Sequence, residues 1–570
     1  MIDSALDAAV AALPEFYQPI YGHADRWPAS RTTEDRFQAI LPVVEAFQAL
    51  HGRPPRILDI GCAQGYLCFR LAESGASVLG IDNDIRNIRV CTALAGHHPH
   101  LAARFEEADA IDYLEGLPED GFDLVIGLSV FHHVCYRIGV AATRKLLSGL
   151  ARKVPIALFE LAVRQEPLYW AAALPADPYA LVEDYLFIRE IGQFTTHLSA
   201  VPRPLLFCSN EDALLGKTLY RIDSIRSQSV AGIHDGEAAG QAYIESGAEF
   251  LKLVTMRSLN WSARRAELAR EAAFLSGPDR ADEDPVVFEY VDTPNEAWLR
   301  RSRIPGETLD IVKSRGERVD PVRITRCVLR ELARLEALGW FHADLSLWNV
   351  VLTPDGDARV IDFGALTREP RNCVWPEDLR FAFGQFLFDL TSDLPIRTFP
   401  IRRPRFRPAH LPFPFGEAMA LMLAEMPACS AQAMLDRIDE VIERGPSSEP
   451  AGPETALATA LDAHIDSLGD TVEAVRSGFV QQRDGLQAMF QWRSAMEGAH
   501  HKTRVVAESL DARMGGLEHA HHETRLIITA LEARLAGIEN AHHETRLMLA
   551  EIARRQEESF FVRLRRQIGW

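Results

Sequence analysis

The sequence predicts a multidomain protein with three parts in order: an α/β domain built on a parallel sheet, an α+β domain, and a C-terminal parallel coiled coil. Three observations carry this reading. Residues 1–208 alternate short apolar runs ("RILDIG", "SVLGID", "FDLVIGLSV", "PIALFEL") with helical segments, the pattern of strands buried on both faces by crossover helices. Residues 209–444 change to strand-like pieces ("EFLKLV", "VVFEYV") followed by a helix-rich half. Finally, "AHH" begins at Ala499, Ala520 and Ala541, steps of 21 residues or three heptads, and a coiled coil is expected over 457–556. "RGPSSEPAGPET" clusters Pro, Gly and Ser without apolar periodicity, so 445–456 reads as a linker.

At 570 residues the chain exceeds one core, since a domain averages roughly 150 residues. A net charge of -19 argues against nucleic acid as a general partner, so any anionic ligand needs a local basic site. The eight cysteines form no CxxC and no zinc-spaced set with histidine, and are expected to be reduced and mostly buried. No apolar run approaches the roughly 18 residues of a membrane helix, and the N-terminus lacks a signal-peptide pattern. The expected location is cytoplasmic, or peripheral on the cytoplasmic face of a membrane.

In the first domain, "ILDIGCAQGYLC" sets Asp59, Gly61 and Gly65 between an apolar strand and a helix, where glycine lets backbone approach a ligand. The next strand, "SVLGID", ends in Asp82, placed to accept both hydroxyls of a ribose. "EEADA" adds Asp109, and "FDLVIGLSVFHHV" ends beside His132 and His133. This order resembles the Rossmann-like class I S-adenosylmethionine methyltransferases, and the GxGxxG cradle of a dinucleotide site is absent. The resemblance implies that Gly61 and Gly65 pack against the methionine part, Asp82 holds the ribose, Asp109 meets the adenine amine and Leu128 lines the pocket. Tyr17 and Arg36 either close over the cofactor carboxylate or belong to a structural N-terminal helix. His132 and His133 either hold an anionic acceptor or move a proton, or one of them is a packing histidine.

In the second domain, "GWFHADLSLWNVVLTPDGDARVIDFGA" carries Asp344, Asn349 and Asp362 at the spacing of a kinase catalytic loop and its metal-binding DFG. Phosphoryl transfer asks the protein mainly to aim the acceptor hydroxyl and neutralise phosphate charge. Asp344 would orient the hydroxyl, while Asn349 and Asp362 would hold Mg²⁺ beside ATP. Lys252 in "EFLKLV" is matched by Glu271, with Glu267 the alternative one turn away. "IPGETL", near Ile304, fits the hinge that meets adenine. The order is that of a protein-kinase-like domain. HAD in place of HRD resembles small-molecule, aminoglycoside and lipopolysaccharide kinases more than protein kinases. No GxGxxG loop is found around "RSQSVAGIHDGEAAG".

A heptad threads from Leu461 to Ile552 without a skip and puts His500, His521 and His542 at a, Thr503, Thr524 and Thr545 at d, and His501, His522 and His543 outside. Val475, Ile538 and Ile552 at d favour a homotrimer over a dimer. The histidine layers read as a register device, with a metal ring or pH response as the alternative. The tail "FFVRLRRQIGW" aligns Phe561, Leu564 and Ile568 beside arginines, which suits an anionic membrane surface or a docking site for another protein.

Methyltransferase, kinase and long coiled coil in this order resemble the bifunctional O-antigen chain terminators of the WbdD type. The resemblance implies phosphorylation of the non-reducing terminal sugar of an undecaprenyl-linked O-antigen polysaccharide and then methylation of that phosphate, which ends chain growth. It also implies a rod that sets distance from a membrane-bound polymerase or glycosyltransferase partner. A small-molecule kinase/methyltransferase and a pseudokinase scaffold are the alternatives.

Overall fold

The computed structural model describes residues 2–31, 33–226, 240–258, 261–371, 378–393, 408–425 and 430–446. The heptad repeat, its histidine layers, the basic tail and the "RSQSVAGIHDGEAAG" stretch beyond Arg226 up to Ala239 lie outside them.

The first domain begins with helices α1 (Ile2–Ala11) and α2 (Glu34–His51) and continues as strands β1 (Arg56–Ile60), β2 (Ser77–Asp82), β3 (Ala103–Glu107), β4 (Leu124–Leu128) and β5 (Ile156–Glu160). Helices α3 (Tyr66–Glu73), α4 (Ile85–His97), α5 (Ala110–Glu115), α6 (Phe131–Ile138) and α7 (Val140–Ala151) connect them, and the hairpin β6 (Phe187–Thr196), β7 (Ser199–Ser209) closes the sheet. The order is β3-β2-β1-β4-β5-β7-β6. β1 pairs in parallel with β2 and β4, whereas β7 runs antiparallel to β5. Central strands such as β4 and β5 are apolar almost throughout because helices cover both faces. Strand order reverses between β1 and β4, so their C-terminal ends form the crevice where open α/β sheets take ligands.

The expected boundary at 208 falls inside β7, and the hairpin β8 (Asp212–Leu215), β9 (Thr218–Arg221) still packs on α2. The new sheet starts only with β10 (Ser224–Arg226). Residues beyond 208 stay with the first domain because Leu214, Leu215 and Leu219 are buried in its core. Fully burying one such leucine contributes about 1.5–3 kcal/mol.

The second domain opens with β10, β11 (Gln241–Ser246), β12 (Glu249–Thr255), helix α8 (Trp261–Leu275), β13 (Val287–Asp292) and β14 (Glu296–Ser302), in the antiparallel order β10-β11-β12-β14-β13. After Arg303–Gly306 the chain passes through β15 (Glu307–Thr308), α9 (Leu309–Ser314), α10 (Pro321–Ala337), β16 (Phe341–His342), β17 (Val350–Leu352), β18 (Ala358–Val360) and β19 (Leu366–Thr367). Helices α11 (Leu379–Thr391), α12 (Phe415–Glu425) and α13 (Ala431–Arg444) complete this lobe around a separate core that includes Val328, Phe383, Phe415 and Ile438. Six cysteines among the described residues are unpaired thiols, five of them buried.

One apolar cluster runs from Ile57 and Phe207 of the first sheet through the β8–β9 hairpin to Ile244, Leu251 and Trp298 of the second. Arg189 of β6 grips Glu296 of β14 at 2.9 and 2.5 Å, and Arg257 pairs with Asp177 at 2.7 Å. Residues 1–454 accordingly form one compact unit.

Candidate active sites

At the first crevice, Gly61 and Gly65 follow β1 with φ of 71° and 76°. A Cβ on Gly61 would stand 2.7 Å from Val130 Cγ2, and one on Gly65 would stand 2.9 Å from Cys91 Sγ and Phe105. The turn therefore needs glycine both for its dihedrals and for its packing. Asp82 at the end of β2 accepts from Ala63 N (2.9 Å) and Asp84 N (2.8 Å), which ties the loop to the strand end. A carboxylate has further lone pairs for hydroxyls. Asp59 is buried and accepts from Cys68 Sγ at 3.1 Å. Burial, then the neighbouring Cys62 thiol, pushes its carboxyl well above the usual range, so this side chain supports the loop from below. Asp109 caps α5 by accepting from Ile111 N (2.9 Å) and pairs with Arg137 at 2.5 Å.

Across the crevice, Arg36 is buried, with its donors on Glu160 (2.8 Å), Asp35 (2.6 Å) and Thr195 O (2.6 Å). Tyr17 instead meets Arg31, which also forks onto Glu160 at 2.9 and 3.1 Å. Ser129, the residue after Leu128, holds a left-handed φ of 59° and bonds Glu160. Burial opposes the Glu160 charge, but Arg31 and Arg36 outweigh it and keep the carboxyl below its ordinary range. Arg203 donates to Ser129 (3.0 Å) and forks onto Glu166 at 2.8 and 2.6 Å. Arg31, Ser129, Glu160, Glu166 and Arg203 were absent from the sequence reading. The signal for Glu160 was present in "PIALFEL", an acidic residue closing an otherwise apolar strand.

His132 is buried against Trp170, ring centroids 4.4 Å apart, and beside His133 at 4.0 Å. Burial above all, then His133 and Arg203, pushes its pKa down to about 2. It is neutral at working pH, which leaves it a hydrogen-bonding group rather than a cation. His133 is exposed, and its pKa is lowered as well, by desolvation and Arg203.

In the second domain, β12 carries Lys252 and α8 turns its buried face, Leu268, Glu271, Ala272 and Leu275, toward the sheet. Lys252 Nζ bonds Glu271 and, at 2.8 Å, Asp362 Oδ1, while Arg301 Nε donates to Glu271 at 3.0 Å. Glu267 pairs with Arg264 at 2.8 Å, so of the two acids only Glu271 meets the lysine. Burial alone would lower the Lys252 pKa; the charges of Asp362 and Glu271 outweigh it and raise it. Asp344 accepts from Ser346 Oγ (3.0 Å) and Asn349 Nδ2 (2.9 Å). His342 contacts Ile361 O at 2.9 Å and accepts from Asp344 N, and Ile361 N reaches Asn349 O at 2.8 Å, so the loop and the Asp362 turn brace each other. Asp362 itself adopts φ 66°, strain of about 1–3 kcal/mol that its surroundings must hold. Phe363 stacks on Phe274 of α8 at 5.2 Å, and Gly364 lies so near Glu267 O that a Cβ would approach to 2.8 Å. Ile304 sits in the link between β14 and β15, where the two lobes join.

A methyltransferase-domain family model matches residues 54–141, and a model of the phosphotransferase enzyme family matches 163–371. A solved structure of the bifunctional kinase-methyltransferase WbdD is 31% identical, covers 80% of this chain and 99% of its own, and superposes with a TM-score of 0.70. The chain belongs to the WbdD family. A WbdD structure with an ordered C-terminal bundle covers 86% of this chain with a TM-score of 0.74 at 31% identity. A curated Escherichia coli WbdD, an O-antigen chain terminator bifunctional methyltransferase/kinase, is 35% identical over 68% of this chain. The chain spans 56% of that relative's length. The phosphotransferase match opens inside the first domain at 163, but β6 and β7 hydrogen-bond into the sheet of β5. By strand pairing, β6 and β7 belong to the first domain.

A methyltransferase domain implies S-adenosylmethionine and a phosphotransferase domain implies ATP. The glycine turn brings its backbone up beside the Asp82 carboxylate, which holds Ala63 N and Asp84 N and has further lone pairs to offer hydroxyls. Asn349 directs its N–H groups at Asp344, so its carbonyl oxygen and Asp362 are the hard oxygens on offer to a cation. Among the described residues no group of three or more metal-ligating side chains occurs, so Mg²⁺ there would also need phosphate oxygens.

Proposed function

We propose that this chain phosphorylates the non-reducing terminal sugar of an undecaprenyl-linked O-antigen polysaccharide and then methylates that phosphate, ending chain growth. The observation that carries the reading is the full set Lys252–Glu271–Asp362 with Asp344–Asn349 in the same compact unit as the glycine-loop crevice. When bound, ATP with Mg²⁺ supplies a transferable phosphoryl group and S-adenosylmethionine an electrophilic methyl group.

Asp344, held by Ser346 and Asn349, orients the acceptor hydroxyl and takes its proton. Lys252 keeps its charge for the phosphates because Glu271 anchors it, and Asn349 and Asp362 hold the cation. Ile304 borders the adenine in the lobe link. In the crevice, Gly61 and Gly65 pack against the methionine part, Asp82 takes the ribose and Leu128 lines the wall. Asp109 bounds the adenine, and Tyr17 with Arg36 closes near the cofactor carboxylate. A phosphate oxygen is already a competent nucleophile, so neutral His132 and His133 serve to place it rather than to remove a proton.

Asp344→Ala is expected to abolish phosphorylation, and with it methylation of an unphosphorylated glycan, while methylation of a prephosphorylated glycan continues. Radiolabelled methyl transfer to both substrates checks this. Methylation of the unphosphorylated glycan by Asp344→Ala would show that phosphate is not the acceptor.

The 21-residue repeat extends the proposal: a trimeric coiled coil holds both sites at a set distance from a membrane or polymerase contact made by the tail. Removing one repeat in register shortens the rod by about 32 Å. Gel analysis of the polysaccharide should then show a shorter length distribution, and an unchanged distribution from an intact trimer rejects the spacer.

A further inference from the structure

Two large aromatic side chains beside the crevice face solvent without cover. Tyr136 is 57% and Tyr169 65% exposed, and their rings meet edge to face at 5.2 Å. Tyr169 in turn packs against Trp170 at 4.8 Å, and Trp170, 4% exposed, contacts His132 and His133. The Arg203 guanidinium lies 5.9 Å from the Trp170 ring and donates to Ser129 beside the cofactor crevice. A path of aromatic contacts thus runs from the surface to Arg203 and Ser129 at the crevice. On it, Trp170 Nε1 and His132 Nδ1 are buried without a hydrogen-bond partner. Burying such atoms unpaired is unfavourable.

We propose that Tyr136 and Tyr169 form a glycan subsite for methyl transfer. The sugar that bears the acceptor phosphate lays its C–H face on the tyrosine pair, and the phosphate reaches the Trp170–His132 end. A pyranose presents an apolar C–H face, which suits the flat apolar face of an exposed aromatic ring. Two rings offer far less area than the roughly 800 Å² per partner of a stable protein interface, so a sugar suits the patch better than a protein. The inference rests on the reading that the acceptor is a phosphorylated glycan.

The test uses full-length protein and lipid-linked polysaccharide extracted from source cells that lack it. The polymer is first phosphorylated by wild-type protein with ATP, then offered to wild type and variants with S-adenosylmethionine. Tyr136→Ala and Tyr169→Ala should each raise KM for this polymer about three- to tenfold, the range of one aromatic contact. Both should leave kcat, S-adenosylmethionine affinity and kinase activity unchanged, and Tyr→Phe at either position should restore the wild-type KM. Unchanged KM in the alanine variants, or phenylalanine variants as weak as alanine, overturns the subsite while the acceptor reading stands. If wild-type protein fails to methylate the phosphorylated polymer, the acceptor reading falls and the subsite falls with it.

Discussion

Asp123 and Glu160 are both buried acids in the first sheet, and they serve opposite ends of it. Glu160 closes β5 at the crevice and neutralises Arg31 and Arg36 there. Asp123 precedes β4 at the far edge and accepts from Arg53 (2.7 Å), Arg56 N (2.8 Å) and the Arg56 side chain. Burial pushes the Asp123 carboxyl up, but the hydrogen bonds from Arg53 and Arg56 outweigh it and hold it far below the usual range. A depressed carboxyl pKa contributes stability that is present above the unfolded value, about 3.9, and is lost as pH falls below it. Asp123→Asn is therefore expected to cost about 1.5–3 kcal/mol at pH 7, the worth of hydrogen bonds to a charged group, and progressively less from pH 4 downward. Urea unfolding of both proteins across that range measures it; a pH-independent difference would assign the loss to packing instead.

At the scale of elements, the turn after β1 and the helix α8 show what a linear pattern conveys. "DIGCAQG" specifies a turn because only glycine takes φ near +70° without strain, and the structure adds Val130 as the neighbour that forbids a Cβ. Gly61→Ala should fold, with a loss of about 1 kcal/mol or more from the left-handed backbone alone, and should bind S-adenosylmethionine at least about tenfold more weakly. Calorimetric titration reads this, and unaltered affinity would mean that the turn does not shape the site. In α8, Glu267 and Glu271 lie one turn apart on one side, so spacing left the choice of lysine partner open. Burial of the Leu268–Ala272–Leu275 stripe turned Glu271 inward and left Glu267 to Arg264. The domain boundary was similarly open, because the short β8–β9 hairpin reads the same whichever sheet it packs against.

For the whole molecule, the joint between the methyltransferase and kinase halves is continuous: one apolar cluster, closed by the Arg189–Glu296 fork at 12% and 15% side-chain exposure. Glu296→Gln leaves Arg189 without its counter-charge at a mostly buried seam. The expected cost is about 1–3 kcal/mol, with scanning calorimetry separating the two halves' unfolding. A single transition at an unchanged midpoint would show that apolar packing alone holds the joint. The sequence by itself determined the order of the modules, the glycine turn, the catalytic-loop spacing and the heptad interval, because each of these is written within a few neighbouring residues and their backbone needs. Only the tertiary structure decided the charge network: Arg31 meets Glu160 across 129 residues, Lys252 meets Asp362 across 110 and Arg189 meets Glu296 across 107. Whether a charge is buried, and which opposite charge is buried with it, depends on the packing of the whole unit, and no local pattern encodes that.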